Sequence, residues 1–215
     1  MDRNLIEGVS VIYQSAIRIA SDKVIYFDPL GIKEETHDAD IIFITHDHHD
    51  HFSPEDIYKV RKADTQIIVP EKLEERSWKL GFAPENVHTV AAGQVKELAG
   101  LTVEAVPAYN NVKSFHPKES GWVGYVVTVN GVRYYIAGDT DMTEENRKVR
   151  CDVAFVPIGG TYTMDPEEAA EFVNTIKPRI VVPIHYGSIV GKKEDAGEFQ
   201  GHLSPDIDCE CLMQF

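Results

Sequence analysis

The chain has 215 residues, of which 43% are hydrophobic and 26% are charged, and its formal net charge at pH 7 is -14. This length supports one substantial hydrophobic core, so we expect a single domain over residues 1–215. The acidic balance argues against binding nucleic acid through a broad basic face. The sequence shows no signal-like leader and no apolar run of about 18 residues, so we expect a cytoplasmic protein with no membrane partner.

The first half of the chain alternates strand-like and helical segments. Serine at 53, proline at 54 and acidic residues at 55 and 56 favour the start of a helix, since they supply a cap, a preset first residue and charges that suit the helix dipole. A glycine at 81 favours the end of a second helix. The predicted segments are strand-like 9–20, a turn at 21–23, strands at 24–30, 38–46 and 65–70, and helices from 54 and over 71–82.

The second half begins with several short strands between residues 87 and 107, punctuated by glycines. Asn130-Gly131 lies between β-branched and aromatic runs, which predicts a hairpin with a type I′ turn. Asp165, Pro166 and Glu168 form a capping box at the start of a predicted helix over 164–177. Apolar strands are predicted at 151–160 and 179–187, and the alternation as a whole predicts an α/β layered domain.

The three cysteines, Cys151, Cys209 and Cys211, have no paired C-x-x-C spacing and are odd in number. We expect them to be small core or strand residues, with no disulfide framework.

Four of the nine histidines lie between residues 46 and 51, at the end of an apolar strand. Residues two apart face the same way in extended chain, so His46, His48 and Asp50 should project together. His51 should be reoriented as the chain turns toward the helix, whereas His49 should point away. Imidazole and carboxylate are ligands that suit zinc, iron or manganese, and two neighbouring sets indicate two metal positions roughly 3.5–4 Å apart.

Two further strand ends carry matching side chains. Gly138-Asp139 follows one apolar strand and His185 follows another. The ends of buried strands are where α/β sheets assemble their sites, so we expect both residues to join the histidine cluster.

These motifs resemble those of the metallo-β-lactamase fold superfamily. "THDHHDH" is similar to its His-x-His-x-Asp-His signature, "GDTD" to its bridging-aspartate motif and "PIHYG" to its last histidine motif, while "IYFDPLG" is similar to its early strand and aspartate. The resemblance covers essentially the whole chain and is nearest to the small metal-dependent hydrolases similar to ascorbate-6-phosphate lactonase. It implies a four-layer αββα sandwich.

The resemblance also implies a ligand assignment. His46 and His48 would bind the first metal, and Asp50, His51 and His185 the second; Asp139 would bridge both. Asp47 and Asp56 are not expected to be ligands.

The family's remaining histidine has no counterpart at its usual place, where this chain has Tyr109 and Asn110. His116 lies in the same loop and is the candidate to complete the first site, with Tyr109 or Asn110 as the open alternative.

The function implied is hydrolysis of a small ester-type substrate, a lactone or a phosphodiester, by water activated by one or two divalent ions, with zinc first and manganese or iron as alternatives. Asp50 is the expected catalytic residue. Lys113, Trp122 and Tyr162 are candidate substrate contacts, with Lys113 available for an anionic group. Two alternatives are a diiron-type redox protein and a non-catalytic metal-dependent sensor on the same fold. The sequence leaves a homo-oligomer open.

Overall fold

Two mixed β-sheets lie face to face in the computed structural model, which describes residues 3–215. The first sheet has the order β1-β2-β3-β4-β5-β6, built from Val9–Tyr13, Ala16–Ala20, Val24–Phe27, Ala39–Phe43, Arg61–Pro70 and Val87–Val90. The second has the order β13-β12-β11-β10-β9-β8-β7, built in chain order (β7 to β13) from Val95–Leu98, Leu101–Pro107, Val123–Val129, Val132–Ile136, Val153–Pro157, Ile180–Ile184 and Asp208–Cys209. In each sheet one part pairs antiparallel and the other parallel.

Four α-helices cover the outer faces of the sheets: α1, α2, α3 and α4 are Pro54–Val60, Glu74–Lys79, Pro166–Ile176 and Asp195–His202. Short 3₁₀ helices lie at Arg3–Ile6, Glu71–Leu73, Pro84–Asn86, Lys118–Ser120 and Asn146–Lys148. Helices α1 and α2 are on the side of the first sheet, and α3 and α4 pack together on the side of the second. This is the predicted four-layer αββα sandwich.

Strand β4 shows why the sheet is buried on both faces. Ile41 and Phe43 belong to the large core shared by the two sheets, whereas Ile42 belongs to a second core beneath α1 and α2. All three side chains are buried, because alternate residues of a strand point to opposite faces. A continuous apolar run such as "IIFI" is therefore what this position requires.

Local sequence signals set several element boundaries as predicted. Asn130 and Gly131 both have positive φ, at 49° and 80°, in the turn between β9 and β10, and Val129 pairs with Val132 across it. The Ser53 side chain accepts a hydrogen bond from the backbone N–H of Asp56 at the start of α1. The capping box of α3 is also present.

Three elements differ from the sequence prediction. The segment 9–20 is two strands, because Gln14 adopts a left-handed φ of 53° and turns the chain back. The helix predicted over 71–82 is reduced to a 3₁₀ turn and the six residues of α2. Helix α4 was not predicted, since its eight residues include two glycines and bury only Ala196 and Phe199.

The cysteines are all free thiols. Cys209 lies in β13 and Cys151 is half-buried, in line with the prediction, whereas Cys211 is exposed. Among the described residues, no helix has the length and apolar character needed to cross a membrane. The cytoplasmic location stays a prediction.

Candidate metal centre

Seven histidine and aspartate side chains meet at the edge of the sandwich where several strands end. His46, His48, Asp50 and His51 lie in the turn between β4 and α1. Asp139 follows β10, His185 follows β12, and His116 lies in the loop between β8 and β9. The structure thus brings together every residue predicted as a ligand, from four separate parts of the chain.

Two glycines allow the close backbone approaches that this edge needs. Gly138 has a φ of +66°, and a Cβ at this position would lie 3.2 Å from Cβ of Thr45. A Cβ on Gly159 would lie 2.3 Å from the carbonyl oxygen of His185. His185 itself has a left-handed φ of 58°, and its backbone N–H donates to the carbonyl of Gln14 at 3.0 Å. Backbone strain of this kind, at a non-glycine residue, is concentrated at functional sites in proteins.

The first group of donor atoms is made of histidines only. Nε2 of His46 lies 3.2 Å from Nδ1 of His48, and the two rings are within 5 Å of each other. His46, His48 and His116 each offer a nitrogen, and these nitrogens lie within 4.8 Å of one another.

The second group is made of one carboxylate and two histidines. Oδ2 of Asp50 lies 3.3 Å from Nε2 of His185 and 3.7 Å from Nε2 of His51. Donor atoms of Asp50, His51 and His185 also lie within 4.8 Å of one another.

Asp139 lies between the two groups and faces both. Its Oδ2 is 3.2 Å from Nε2 of His116 and 3.1 Å from Nε2 of His185. Its Oδ1 is 3.3 Å from Nε2 of His51. Asp139 could therefore contribute its carboxylate to cations held by either group.

The donor set fits divalent metal ions on two grounds. Nε2 of His51, His116 and His185 and Oδ1 of Asp139 are buried without a hydrogen-bond partner, which is rare for protein polar atoms. Ligand atoms at tetrahedral corners around a bond of roughly 2.0–2.1 Å are roughly 3.3–3.4 Å apart. The separations of 3.1–3.3 Å between Asp139 and these histidines are close to that value.

Three polar side chains hold the histidine rings in the orientation that frees these nitrogens. Nδ1 of His51 lies 2.7 Å from the Asp28 carboxylate, and Nδ1 of His116 lies 3.0 Å from the Asn110 amide oxygen. Both partners are acceptors, so each Nδ1 carries the proton and leaves Nε2 free to bind a cation. Thr45 Oγ1 donates to Asp28 at 2.6 Å and can accept from Nδ1 of His46 at 2.9 Å.

Sequence reasoning gave Asp28 and Thr45 no role in the site, and it considered Asn110 only as an alternative to His116 in the first metal site. Asp28 is the aspartate of "IYFDPLG", directly after β3, and is fully buried with a φ of 45°. Its place directly after a buried strand is a sequence signal that could have indicated a role in the site. Nothing in the sequence distinguished Thr45 or the orienting role of Asn110.

The pKa shifts differ between the two donor groups: burial lowers the pKa of His46 and of His48, whereas carboxylates and imidazoles stabilise each other's charges around Asp139. Burial alone would raise the pKa of Asp139, but the His185 and His51 imidazoles outweigh it and hold that pKa well below its usual range. Burial would likewise raise the pKa of Asp50, yet the His185 imidazole 3.3 Å away and the charge of His51 lower it to about 2. Burial would lower the pKa of His185, but the Asp139 carboxylate raises it to about 9. Divalent cations would supply the positive charge that protons otherwise provide here.

Several neighbours of the cluster point elsewhere. The His49 side chain is 89% exposed, in line with its predicted place outside the ligand set. Asp47 pairs with Arg76 at 2.8 Å. Asp56 accepts from the backbone N–H groups of residues 31 and 32 and thereby ties the β3–β4 connection to α1. The Tyr109 hydroxyl donates to Glu145 at 2.7 Å, so it faces away from the histidines.

The three predicted substrate contacts differ in position. Tyr162 lines the cavity above the cluster. Trp122 packs its ring 4.8 Å from that of His48 and 5.1 Å from that of His46, and it lines a separate small recess. The Lys113 ammonium is bound by Asp141 at 3.1 Å and by the carbonyl of Thr163 at 2.8 Å, and it does not line the cavity. The structure therefore does not show the substrate contact predicted for Lys113.

The cluster opens to solvent through a cavity of about 240 Å³. A larger cavity of about 770 Å³ lies elsewhere, between the first sheet and Phe215, and contains none of the cluster residues. We assign the site to the smaller cavity, because it contains the residues that could bind metal. The side chains present, and not the volume of a cavity, determine what chemistry a site can perform. Its lining is His48, His49, Asp50, Phe115, His116, Asp139, Tyr162 and Ile189.

Comparisons with a family model and with known relatives point to the same family. Residues 13–185 match the family model of the β-lactamase superfamily domain. The chain is 31% identical over 205 residues to the UPF0173 metal-dependent hydrolase TK0141 of Thermococcus kodakarensis, covering 89% of this chain and 90% of that one. It is 32% identical over 185 residues to the UPF0173 metal-dependent hydrolase MK1542 of Methanopyrus kandleri, covering 82% of this chain and 79% of that one.

A solved structure supports the same conclusion. The crystal structure of a candidate metal-dependent hydrolase from Parabacteroides distasonis ATCC 8503 aligns with a TM-score of 0.80 at 30% identity, covering 96% of this chain and 93% of that one. The chain therefore belongs to the metallo-β-lactamase superfamily and, within it, to the UPF0173 family of metal-dependent hydrolases.

Proposed function

We propose that this protein hydrolyses a small ester-type substrate with the help of two divalent metal ions held by the seven-residue cluster. The observation that carries the proposal is the placement of Asp139 between two groups of buried donor atoms, several of which have no hydrogen-bond partner. His46, His48 and His116 would hold the first ion. Asp50, His51 and His185 would hold the second, and Asp139 would contact both.

Zinc is the first choice for both positions. Imidazole nitrogen and carboxylate oxygen are its usual ligands, and no thiolate is present in the cluster. Manganese and iron accept the same donors, so they are the alternatives to compare.

The ions would supply Lewis-acid polarisation of the substrate oxygen and would lower the pKa of a water molecule toward neutrality. The residues of the chain supply position. Asp50 lines the cavity and is ionised at neutral pH, so its carboxylate can accept a hydrogen bond from the attacking water and orient it. Asp28 and Asn110 keep His51 and His116 in one tautomer and one orientation.

Two substrate classes are the leading choices, lactones and phosphodiesters. Both react by attack of water at a polarised centre, which is the chemistry that this cluster supports. The resemblance of the chain to small metal-dependent hydrolases similar to ascorbate-6-phosphate lactonase favours a cyclic ester. The acidic net charge of -14 disfavours a nucleic-acid phosphodiester.

A hydrolysis screen on metal-replete protein tests the proposal. The substrates are a set of lactones, phosphodiesters and thioesters, each assayed before and after chelation of the metal. We expect turnover that chelation abolishes and that added zinc or manganese restores. Bound metal without turnover of any ester would instead favour a metal-dependent binding protein.

A further inference from the structure

Three large side chains outside the donor cluster, those of Phe115, Tyr162 and Ile189, also line the cavity. Phe115 and Tyr162 meet edge to face, with ring centroids 4.7 Å apart at an interplanar angle of 85°. Ile189 adds an aliphatic side chain from the segment that follows His185. Phe115 is 46% exposed and Ile189 is 44% exposed, although both are large and hydrophobic. Apolar side chains left accessible beside a reactive centre are typical of ligand contacts.

The lysines of the neighbouring loop are not available to this cavity. Lys113 is held by Asp141 and a backbone carbonyl, as described above, and lies 3.6 Å from Glu168. Lys118 pairs with Glu145 at 2.7 Å. Within the described part of the chain, no lysine or arginine lines the cavity. An anionic group outside the reacting ester would thus find no cationic side chain to receive it.

The dimensions of the cavity limit the substrate further. A volume of about 240 Å³ is below the roughly 300–1,000 Å³ of pockets that hold drug-sized ligands. The substrate should therefore carry only a few carbon atoms beyond the reacting group.

We infer that the substrate is a small uncharged carbonyl ester with an aliphatic or aromatic substituent, and that Phe115, Tyr162 and Ile189 bind this substituent. The inference rests on the proposed hydrolase function and selects among its substrates. It favours a carbonyl ester without an anionic handle over a phosphodiester. We call these three residues the apolar rim.

A lactone series tests the substrate class. The compounds are γ-butyrolactone, γ-hexalactone and γ-octalactone, together with γ-butyrolactone that carries a carboxylate in place of the alkyl chain. We expect kcat/KM to rise by up to roughly fourfold for each methylene that is buried. The carboxylated lactone should be at least about tenfold poorer than γ-hexalactone, since no lysine or arginine of the cavity pairs with its carboxylate and the apolar rim would have to desolvate it. Equal rates across the series, or a preference for the carboxylate, would overturn the inference.

Variants of the apolar rim test whether these residues cause the preference for longer alkyl substituents. Phe115→Ser and Ile189→Ser should raise KM for γ-octalactone several-fold, and by more than they raise KM for γ-butyrolactone, which has no alkyl substituent for the rim to bind. Val112→Ser is the matched control, because Val112 is 91% exposed in the same loop and does not line the cavity. Metal content and melting temperature should be the same in all three variants, which separates a binding role from a structural one. An unchanged γ-octalactone KM in both rim variants would contradict the assignment.

A binding measurement keeps this test independent of turnover. Acetohydroxamic and hexanohydroxamic acids share one metal-binding head and differ in the apolar tail. By calorimetry on the metal-replete protein, hexanohydroxamic acid should bind at least about tenfold tighter, and Phe115→Ser should remove most of that difference. If this preference appears but no ester is hydrolysed, the proposed function fails while the rim stands. If lactones are hydrolysed and the two hydroxamic acids bind equally, the rim fails while the proposed function stands.

Discussion

The side-chain oxygen of Asn110 lies 3.0 Å from Nδ1 of His116 and 3.1 Å from the backbone nitrogen of the same residue. Asn110 therefore fixes both the position of His116 in the loop and the tautomer of its ring. The sequence left His116 and Asn110 as alternatives for completing the first metal site. In the structure the histidine faces Asp139, and the asparagine lies behind the histidine.

This relationship predicts a metal-binding defect for a residue that does not face the ions. Asn110→Ala leaves Nδ1 of His116 without its acceptor, so we expect metal affinity to fall by about 10- to 100-fold. Titration with zinc in a competing chelator measures the change. The control is Asn111→Ala, because Asn111 is exposed and bonds the backbone carbonyl of Met142. Equal affinity in the two variants would show that His116 needs no such support.

A second prediction compares a His116 variant with a His49 variant as its control. His116→Ala removes a buried nitrogen of the first donor group, and we expect the variant to lose about one equivalent of bound metal. His49→Ala removes an exposed ring that belongs to neither donor group, and it should keep the full complement. Elemental analysis of protein purified without chelator gives the answer. Full occupancy in His116→Ala would exclude it as a ligand and return the first site to His46 and His48 alone.

Asp139 is the residue whose loss should be most severe. Asp139→Asn keeps the shape of the side chain but removes the charge shared by the two donor groups. We expect loss of bound metal and a fall in kcat/KM of roughly a thousandfold or more. Asp47→Asn, within the same histidine-rich segment, alters only a surface pair with Arg76 and should behave as the parent protein does. Parent-like metal content and turnover in Asp139→Asn would refute its bridging position.

Asp28 connects the site to the stability of the fold. Its carboxylate accepts from the backbone N–H of Thr45 at 2.8 Å, from the hydroxyl of Thr45 and from Nδ1 of His51. Asp28→Ala leaves these donors buried and unpaired, so we expect a loss of roughly 3–5 kcal/mol in the free energy of unfolding. Asp28→Asn tolerates the left-handed φ and retains one acceptor, and it should be much less destabilised while still binding metal more weakly.

Chemical denaturation and metal titration of the two Asp28 variants separate these effects. The control is Asp64→Asn, since the Asp64 side chain is 81% exposed and lies 3.9 Å from Lys62. A stability loss in Asp28→Ala no larger than that of the control would contradict a structural role for the Asp28–His51 pair.

Much of the fold followed from local signals in the sequence. The apolar run 41–44, the Asn130-Gly131 turn, the Ser53 cap and the capping box of α3 each act within a few residues, so the pattern alone locates the elements. The elements that differed depend on distant packing. The turn at Gln14 is supported by the hydrogen bond from His185, 171 residues later (185 minus 14), and no local pattern records that contact.

The site, like the fold, has parts that the sequence predicted and parts that it did not. The histidine-rich segment and the strand-end positions of Asp139 and His185 could be placed from spacing and from the family resemblance. The supporting contacts could not, because Asn110 and Asp28 act through atoms that only the folded chain brings near. The pairing of Lys113 with Asp141 was equally hidden, and it changes the expected chemistry of the substrate.

Metal removal should lower the stability of the whole domain. The buried Nε2 atoms of His51, His116 and His185 lack a hydrogen-bond partner and face the Asp139 carboxylate at 3.1–3.3 Å. Cations bound between these groups would therefore favour the native state over the unfolded one. At a free metal concentration about 100 times Kd, mass action contributes about 2.7 kcal/mol, which for a chain of this size corresponds to roughly 5–10 °C in melting temperature. Dialysis against dipicolinate should lower Tm by that amount, and added zinc should restore it in the parent protein but not in Asp139→Asn. An unchanged Tm on chelation, with metal shown to have left, would mean that the cluster is satisfied without ions and that the metal-centre assignment is wrong.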